Sequence, residues 1–388
     1  MTSQRRKGRV MGLMKGKKND ATYSTDFTLL LLTAILVTFG TIMVFSSSVI
    51  MAEIRFQTPY IFIIKHVIWV AAGAVAMFAF SRYDYRKLQE LTRPLIITAV
   101  TLLVLVVIIG SEKGGAKRWF KLGPMSFQPS EFAKLALVIA MADFMDRKKS
   151  RLNKMKGLLP ALGLAGLFCF LISLEPDLGT PVIMVAVTVA MLFVAGARLG
   201  HLLLIGISFV PLVALEILRK PYRLARMKAY LQSVGDISSS SYQLDQSILA
   251  LGNGGFFGRG LAHSQMKLFY LPEPHTDFIF PIIGEETGFI GTIILIVLFI
   301  IFAWRGWMIS KNSPDFFGGM LAMGITLLIT TQAVFNMGVA TGLLPTKGLP
   351  LPFVSFGGTA LVINMAGVGI LLNVSRHMKK HQAKKGNY

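Results

Sequence analysis

Residues 271–304 read LPEPHTDFIFPIIGEETGFIGTIILIVLFIIFAW. The stretch opens with two prolines, two acids and a histidine. It closes with residues 289–304, which carry no charge. A helix rises about 1.5 Å per residue, so crossing a hydrocarbon core takes roughly 20 residues. The apolar span 278–304 meets that length, and its acids Glu285 and Glu286 mark a protein interior or a polar path. The composition agrees: 53% of residues are hydrophobic, 15% are charged, and the mean hydropathy is +0.61. A soluble chain of 388 residues could not bury so much apolar surface, so the solvent is lipid. That excludes the two or three soluble domains that length alone suggests.

Nine further apolar spans occur, at 27–50, 60–80, 95–110, 129–145, 157–174, 180–197, 201–218, 316–340 and 359–374. The expected fold is an all-α polytopic membrane protein with about ten transmembrane helices. Its domains are a basic tail at 1–26, a membrane domain at 27–374 and a second basic tail at 375–388. The apolar stretch after the first tail is too long for a signal peptide. Cys169 is the single cysteine, so no disulfide forms within a monomer, and its apolar setting suits a small core residue. The net charge of +21 would suggest nucleic acid in a soluble protein. Here the bias of Lys and Arg toward one side explains it without a nucleic-acid partner. That bias puts both termini in the cytoplasm and the long segment 219–277, between the seventh and eighth spans, outside.

Two outer segments, 111–128 and 219–277, hold most of the positive charge on that side. Residues 219–228, RKPYRLARMK, carry five cations and read either as an amphipathic helix at lipid headgroups or as an anion site. GNGGFFGRG, at 252–260, reads as a tight turn with close backbone approach, since no strand precedes it to make a nucleotide loop. In GGAKRWFKLG, at 114–123, Trp119 lies among Lys117, Arg118 and Lys121. It reads as an interfacial anchor with snorkelling cations, or as a sugar-stacking platform beside a phosphate site. In FQPSEFAK, at 127–134, Pro129 suits a first helical turn, and Gln128, Glu131 and Lys134 share one helix face. Glu131 and Lys134 either pair with each other or line a polar cavity. EPDLGT, at 175–180, reads as a turn capped by an Asp, with a cation site as the alternative.

Asp277 falls at the outer end of the eighth span. Thr276 or Asp277 is the natural N-cap. Pro281 lacks the amide hydrogen that would bond the Asp277 carbonyl, so the helix start is expected to be irregular, with the Asp277 side chain turned toward a cavity.

Together, GAKRWF, QPSEFAK, EPDLGT, YQLDQSILALGNGGFFGRGL, LPEPHTDFIFPIIGEETG and GLLPTKGLPLPFVSFGG resemble the SEDS family of shape, elongation, division and sporulation proteins. The likeness covers about residues 110–374 and leans toward the cell-division members, with sporulation members close by. One departure is Pro281, where the family usually has alanine. The resemblance implies a peptidoglycan glycosyltransferase using lipid II at the outer face of a bacterial cytoplasmic membrane, at the division septum. It implies a class B penicillin-binding protein and other division proteins as partners, beside membrane lipids. The family's essential Asp matches Asp277, its loop Trp matches Trp119, and its cavity acid and lysine match Glu131 and Lys134.

An inverting sugar transfer needs a base for the attacking hydroxyl and charge for the leaving diphosphate. Asp277 is the candidate base. Arg118, Lys121, Arg223 and Lys347 are candidate cations, and no tightly bound cofactor is expected, although a Mg2+ or Mn2+ ion would also serve. A lipid II flippase is the rival. It would need deep polar residues and alternating access, and Lys65, Glu285 and Glu286 are a sparse set for that.

Overall fold

The structure, a computed structural model, describes residues 26–113, 116–123, 125–175, 177–219, 224–225, 227–228, 230, 242–267, 274–345 and 348–385. In chain order the helices are α1 (Phe27–Phe56), α2 (Ile61–Arg82), a short α3 (Tyr85–Glu90), α4 (Thr92–Ile109), α5 (Pro129–Arg147), α6 (Met155–Leu174), α7 (Gly179–Val194), α8 (Leu199–Leu218), α9 (Tyr242–Gly254), α10 (Ile279–Lys311), α11 (Phe316–Ala340) and α12 (Gly358–Lys385). Eight of them are long and apolar enough to cross a membrane. Of the other elements matching apolar spans, α7 is apolar but only 16 residues long, and α5 carries Glu131, Lys134, Asp143, Asp146 and Arg147. Helices α1 and α10 run past their expected limits because apolarity marks the bilayer crossing and not the end of the helix.

Burial sorts the bundle. The membrane-length windows of α11 and α12 are 78% and 83% buried, against 11% for α2 and 6% for α8. Helices α5, α11 and α12 therefore form the interior, which is why α5 can carry charge. Glycines let α2 press against α12: a β-carbon on Gly73 would meet Met365 Sδ at 2.5 Å.

Two features depart from a purely helical reading. Residues 111–127 form a three-stranded antiparallel sheet, β1 (Ser111–Lys113), β2 (Ala116–Leu122) and β3 (Met125–Phe127), where a loop was expected. Strands this short, with mixed polarity, leave no apolar alternation to read. The segment 348–357, expected as an outer loop, dips into the bundle instead. Leu349, Leu351, Phe353 and Val354 are buried there, and a β-carbon on Gly40 of α1 would sit 2.6 Å from the Phe353 carbonyl oxygen. Non-helical backbone at such depth must find partners in the protein. It does: Asn336 Nδ2 donates to the Leu349 carbonyl (2.7 Å), Gln332 Nε2 to that of Pro350 (2.9 Å), and the Leu351 amide to Ser355 Oγ (2.8 Å).

Helix α10 is broken at Gly288, which has φ 70° and ψ −168°, a conformation open essentially to glycine. The turn after α9 fills the break. The amides of Phe289 and Ile290 donate to the carbonyls of Gly255 (2.8 Å) and Phe256 (3.2 Å), and those of Arg259 and Gly260 to Glu285 (2.9 Å) and Glu286 (3.0 Å). The glycine run thus acts as the expected close-packed turn: a β-carbon on Gly288 would lie 2.6 Å from the Phe256 carbonyl oxygen.

The end of the bundle bearing Asp26 and Ser375 is tied by polar contacts. Arg305 pairs with Asp26, whose amide donates to Ser375 Oγ. Asp315 caps α11, donated to by Gly318 N (2.7 Å), and accepts from Tyr85 Oη and Arg86. Burial and the Asp315 carboxylate push the Tyr85 hydroxyl well above its ordinary range, so it stays a donor. Asn373 joins the Tyr85 amide to the Ser81 carbonyl.

Candidate active site

Asp277 is half-buried in a turn, 274–278, that leads into α10. The N-cap position of α10 is Phe278, which makes no side-chain capping bond, rather than Thr276 or Asp277 as expected. The start of the helix is regular because Pro281 falls in its first turn, where amide hydrogens have no intrahelical partner. The Asp277 carbonyl that Pro281 cannot engage accepts from Asn336 Nδ2 of α11 instead (2.9 Å). The neighbouring His275 is buried. Its carbonyl accepts from the Phe356 amide (2.8 Å), and its ring packs on Phe62 and Phe356 at centroid distances of 4.7 and 5.6 Å. The Asp277 carboxylate lies hard against Gly348, where any β-carbon would overlap Oδ2. The turn is thus clamped from two sides while the carboxylate abuts backbone that has no side chain.

A polar ladder leads from this turn into the core. Asn336 holds both the Asp277 and Leu349 carbonyls. One helical turn earlier, Gln332 holds the Pro350 carbonyl and accepts from Lys134 Nζ at 2.7 Å. Lys134 Nζ lies 3.0 Å from Glu131 Oε1, with both side chains at most 4% exposed. The expected pair on one face of α5 therefore forms. Below it, Leu137, Val138, Met141, Met184, Val187, Met191 and Leu328, with Thr188, line a narrow, mostly apolar crevice beside Lys134. The carboxylate oxygen Glu131 Oε2 is buried without a hydrogen-bond partner among the described residues. Sequence reasoning missed Gln332 and Asn336. The available signal was two carboxamides four residues apart in an otherwise apolar span, which places them on one helix face.

The sheet carries Lys117, Arg118, Trp119 and Lys121 on β2. Trp119 pairs with Ser111 and Lys117 with Glu112, so Arg118 is an extra residue in the ladder, a bulge that interrupts strict alternation. Lys121 is exposed and Trp119 half-buried. Arg118 points its Nε at the Glu175 carbonyl (2.8 Å), tying the sheet to the α6–α7 turn. In that turn Asp177 accepts from the Gly179 amide (2.9 Å), the Thr180 amide (3.4 Å) and Thr180 Oγ1 (2.8 Å), as a capping Asp does. Glu175 is 1% exposed, and neither carboxylate oxygen has a hydrogen-bond partner among the described residues. Burial, with Asp177 adding and Arg118 opposing, pushes its carboxyl up to about 8. The remaining two expected cations, Arg223 and Lys347, lie outside the described residues.

Glu285 and Glu286, 0% and 1% exposed, are consumed locally. Glu285 accepts from Ser264 Oγ and from the amides of Gln265 (3.1 Å) and Met266 (3.3 Å). Glu286 accepts from Ser46 Oγ (2.6 Å) and pairs with Lys267 (3.2 Å). No group of three or more His, Cys, Asp or Glu side chains suited to a metal gathers among the described residues.

Known proteins resemble this chain along nearly its whole length. Residues 27–380 match the family described as "Cell cycle protein", the FtsW/RodA/SpoVE family. Stage V sporulation protein E of Bacillus subtilis (strain 168) is 40% identical over 363 residues, covering 92% of this chain and 98% of that protein. A probable peptidoglycan glycosyltransferase FtsW of Trichlorobacter lovleyi is 43% identical over 357 residues, covering 91% of this chain and 94% of the relative. Among solved structures, a chain from a peptidoglycan synthase complex that coordinates polymerization and crosslinking superposes with a TM-score of 0.75 at 28% identity, covering 92% and 98%. The rod shape determining protein RodA of Thermus thermophilus gives 0.65 at 27% identity, covering 91% and 97%. With the family model matching nearly its whole membrane region, this chain belongs to the FtsW/RodA/SpoVE family of cell cycle proteins.

Proposed function

We infer that this chain is a peptidoglycan glycosyltransferase that polymerises lipid II during cell division, with Asp277 as its base. One observation carries the assignment to Asp277: the turn bearing it is clamped at its backbone by Asn336 and Phe356, while its carboxylate abuts glycine backbone. Backbone clamping fixes a side chain's reach, which proton transfer requires. In the reaction, the acceptor sugar hydroxyl attacks the anomeric carbon of the donor strand. Asp277 takes the hydroxyl proton as the new C–O bond forms. The bond to undecaprenyl diphosphate breaks with inversion, and the leaving diphosphate carries the electron pair. Arg118, Lys121, Arg223 and Lys347 supply charge to it, and Trp119 stacks on a sugar ring.

The same reading puts both termini in the cytoplasm, the 219–277 segment outside, and the protein at the septum of a bacterial cytoplasmic membrane beside a class B penicillin-binding protein. Support for polymerisation over flipping comes from the deep acids. Glu285 and Glu286 are spent on local bonds, and the end of the bundle bearing the termini is tied through Asp26–Arg305 and Asp315–Tyr85.

The test is glycan polymerisation from lipid II by purified wild type and Asp277→Asn, with and without the transpeptidase partner. The variant should lose roughly 10²–10⁴-fold in rate, the usual worth of a positioned base. Undiminished polymerisation in the variant removes Asp277 from the chemistry. Wild type that flips lipid II but makes no glycan overturns the enzyme reading.

A further inference from the structure

Residues 349–352 read LPLP, and Pro350 and Pro352 have no amide hydrogen to donate. Leu349 and Leu351 are buried, so this non-helical stretch must find its partners inside the protein. Two carboxamides one turn apart on α11 supply them. Asn336 Nδ2 donates to the Leu349 carbonyl (2.7 Å), and Gln332 Nε2 donates to the Pro350 carbonyl (2.9 Å). Gln332 is 0% exposed and is also held from behind. Its Oε1 accepts from Lys134 Nζ (2.7 Å), which lies 3.0 Å from Glu131 Oε1. An ammonium only donates, so Lys134 fixes which end of the carboxamide is the acceptor and turns the amide hydrogens toward Pro350.

From Pro350 the path to the carboxylate is short and continuous. Leu349 precedes a proline, which restricts it to extended backbone. Its side chain packs on α7, where a β-carbon on Gly179 would sit 3.0 Å from Leu349 Cγ. Next comes Gly348, whose backbone lies hard against Asp277 Oδ2. A shift of the Pro350 carbonyl is therefore carried along two stiff residues to the backbone that touches the carboxylate.

Resting on the reading of Asp277 as base, we propose that Gln332 is a positioning residue for the reaction: it carries the fixed orientation of the buried Glu131–Lys134 pair to the 348–351 segment and so sets the backbone wall against the Asp277 carboxylate. Asn336 and Phe356 act on the Asp277 turn itself, and Gln332 acts on the wall facing it.

The experiment compares wild type, Gln332→Met and Gln332→Glu in nanodiscs at about pH 8, with lipid II as substrate. Met fills similar space and loses both bonds. Glu keeps an acceptor for Lys134 but, ionised between that ammonium and Glu131, offers Pro350 no donor. Two readouts are taken: kcat and KM for polymerisation, and hydrogen exchange of residues 348–355 against that of α5 and α12. Both variants should lower kcat about tenfold or more, as a small misplacement near the chemistry does, with KM within about twofold. Exchange at 348–355 should rise while α5 and α12 stay unchanged. If Gln332→Met fails to accumulate, Gln332→Glu carries the test. Wild-type kcat in Gln332→Glu overturns the proposal, because the Lys134 contact alone would then suffice. Unchanged exchange at 348–355, or an equal rise in α5 and α12, overturns it too. A wild type that makes no glycan would instead count against the enzymatic reading, and the exchange arm still decides whether Gln332 orders the segment.

Discussion

Glu175 offers the most quantitative test. Its carboxyl is pushed from an ordinary 4.5 to about 8, first by burial, then by Asp177, with Arg118 opposing. An unpaired buried carboxylate is costly, so the folded protein holds the proton that the unfolded chain releases. Between pH 4.5 and about 8 the native state binds more protons than the unfolded one, so stability falls as pH rises through that window and levels off above it. At about 1.4 kcal/mol for each pH step, the loss at pH 7 is roughly 3 kcal/mol relative to pH 4.5. Entry of water or a turn of Arg118 would reduce it. Glu175→Gln keeps the shape and removes the titration. Thermal unfolding of the purified protein from pH 5 to 9 should show wild type and variant coinciding near pH 5. The variant should be the more stable at pH 8 by several degrees. Parallel profiles, or a wild type that gains stability between pH 6 and 8, would refute the reasoning.

Other expectations follow from the same contacts. Glu131→Gln leaves the Lys134 ammonium buried with Gln332 alone and should cost about 3–5 kcal/mol, read as lost thermal stability. Adding Lys134→Met should return most of it. Gly288→Ala puts a side chain at φ 70° and 2.6 Å from the Phe256 carbonyl oxygen. It should cost upwards of about 3 kcal/mol and expose the 255–260 turn to protease. Asp315→Asn keeps a capping oxygen for Gly318 but loses the charge that pairs with half-exposed Arg86. Its cost should be only about 1 kcal/mol, and polymerisation should be unaffected if the enzyme needs no opening at that end.

What the sequence determined by itself was local. Long uncharged runs specified the membrane helices, and the i, i+3 spacing of Glu131 and Lys134 put them within reach on one face of α5. Asp177 ahead of Gly179 and Thr180 made its capping turn, and the glycines of 252–260 made theirs. Each rests on groups a few residues apart, where helix and turn geometry alone fix the distance. Tertiary structure decided the rest. The bulge in β2 left Arg118 out of the ladder, and its guanidinium met the Glu175 carbonyl 57 residues on. Asn336, 59 residues from Asp277, took the carbonyl that Pro281 left, so α11 helps to hold the Asp277 turn. Ser46 reached Glu286 across 240 residues. In a lipid-embedded bundle, backbone polar groups outside regular helix must find partners inside the protein. Which partner each finds depends on the helix brought alongside, and no local spacing encodes that.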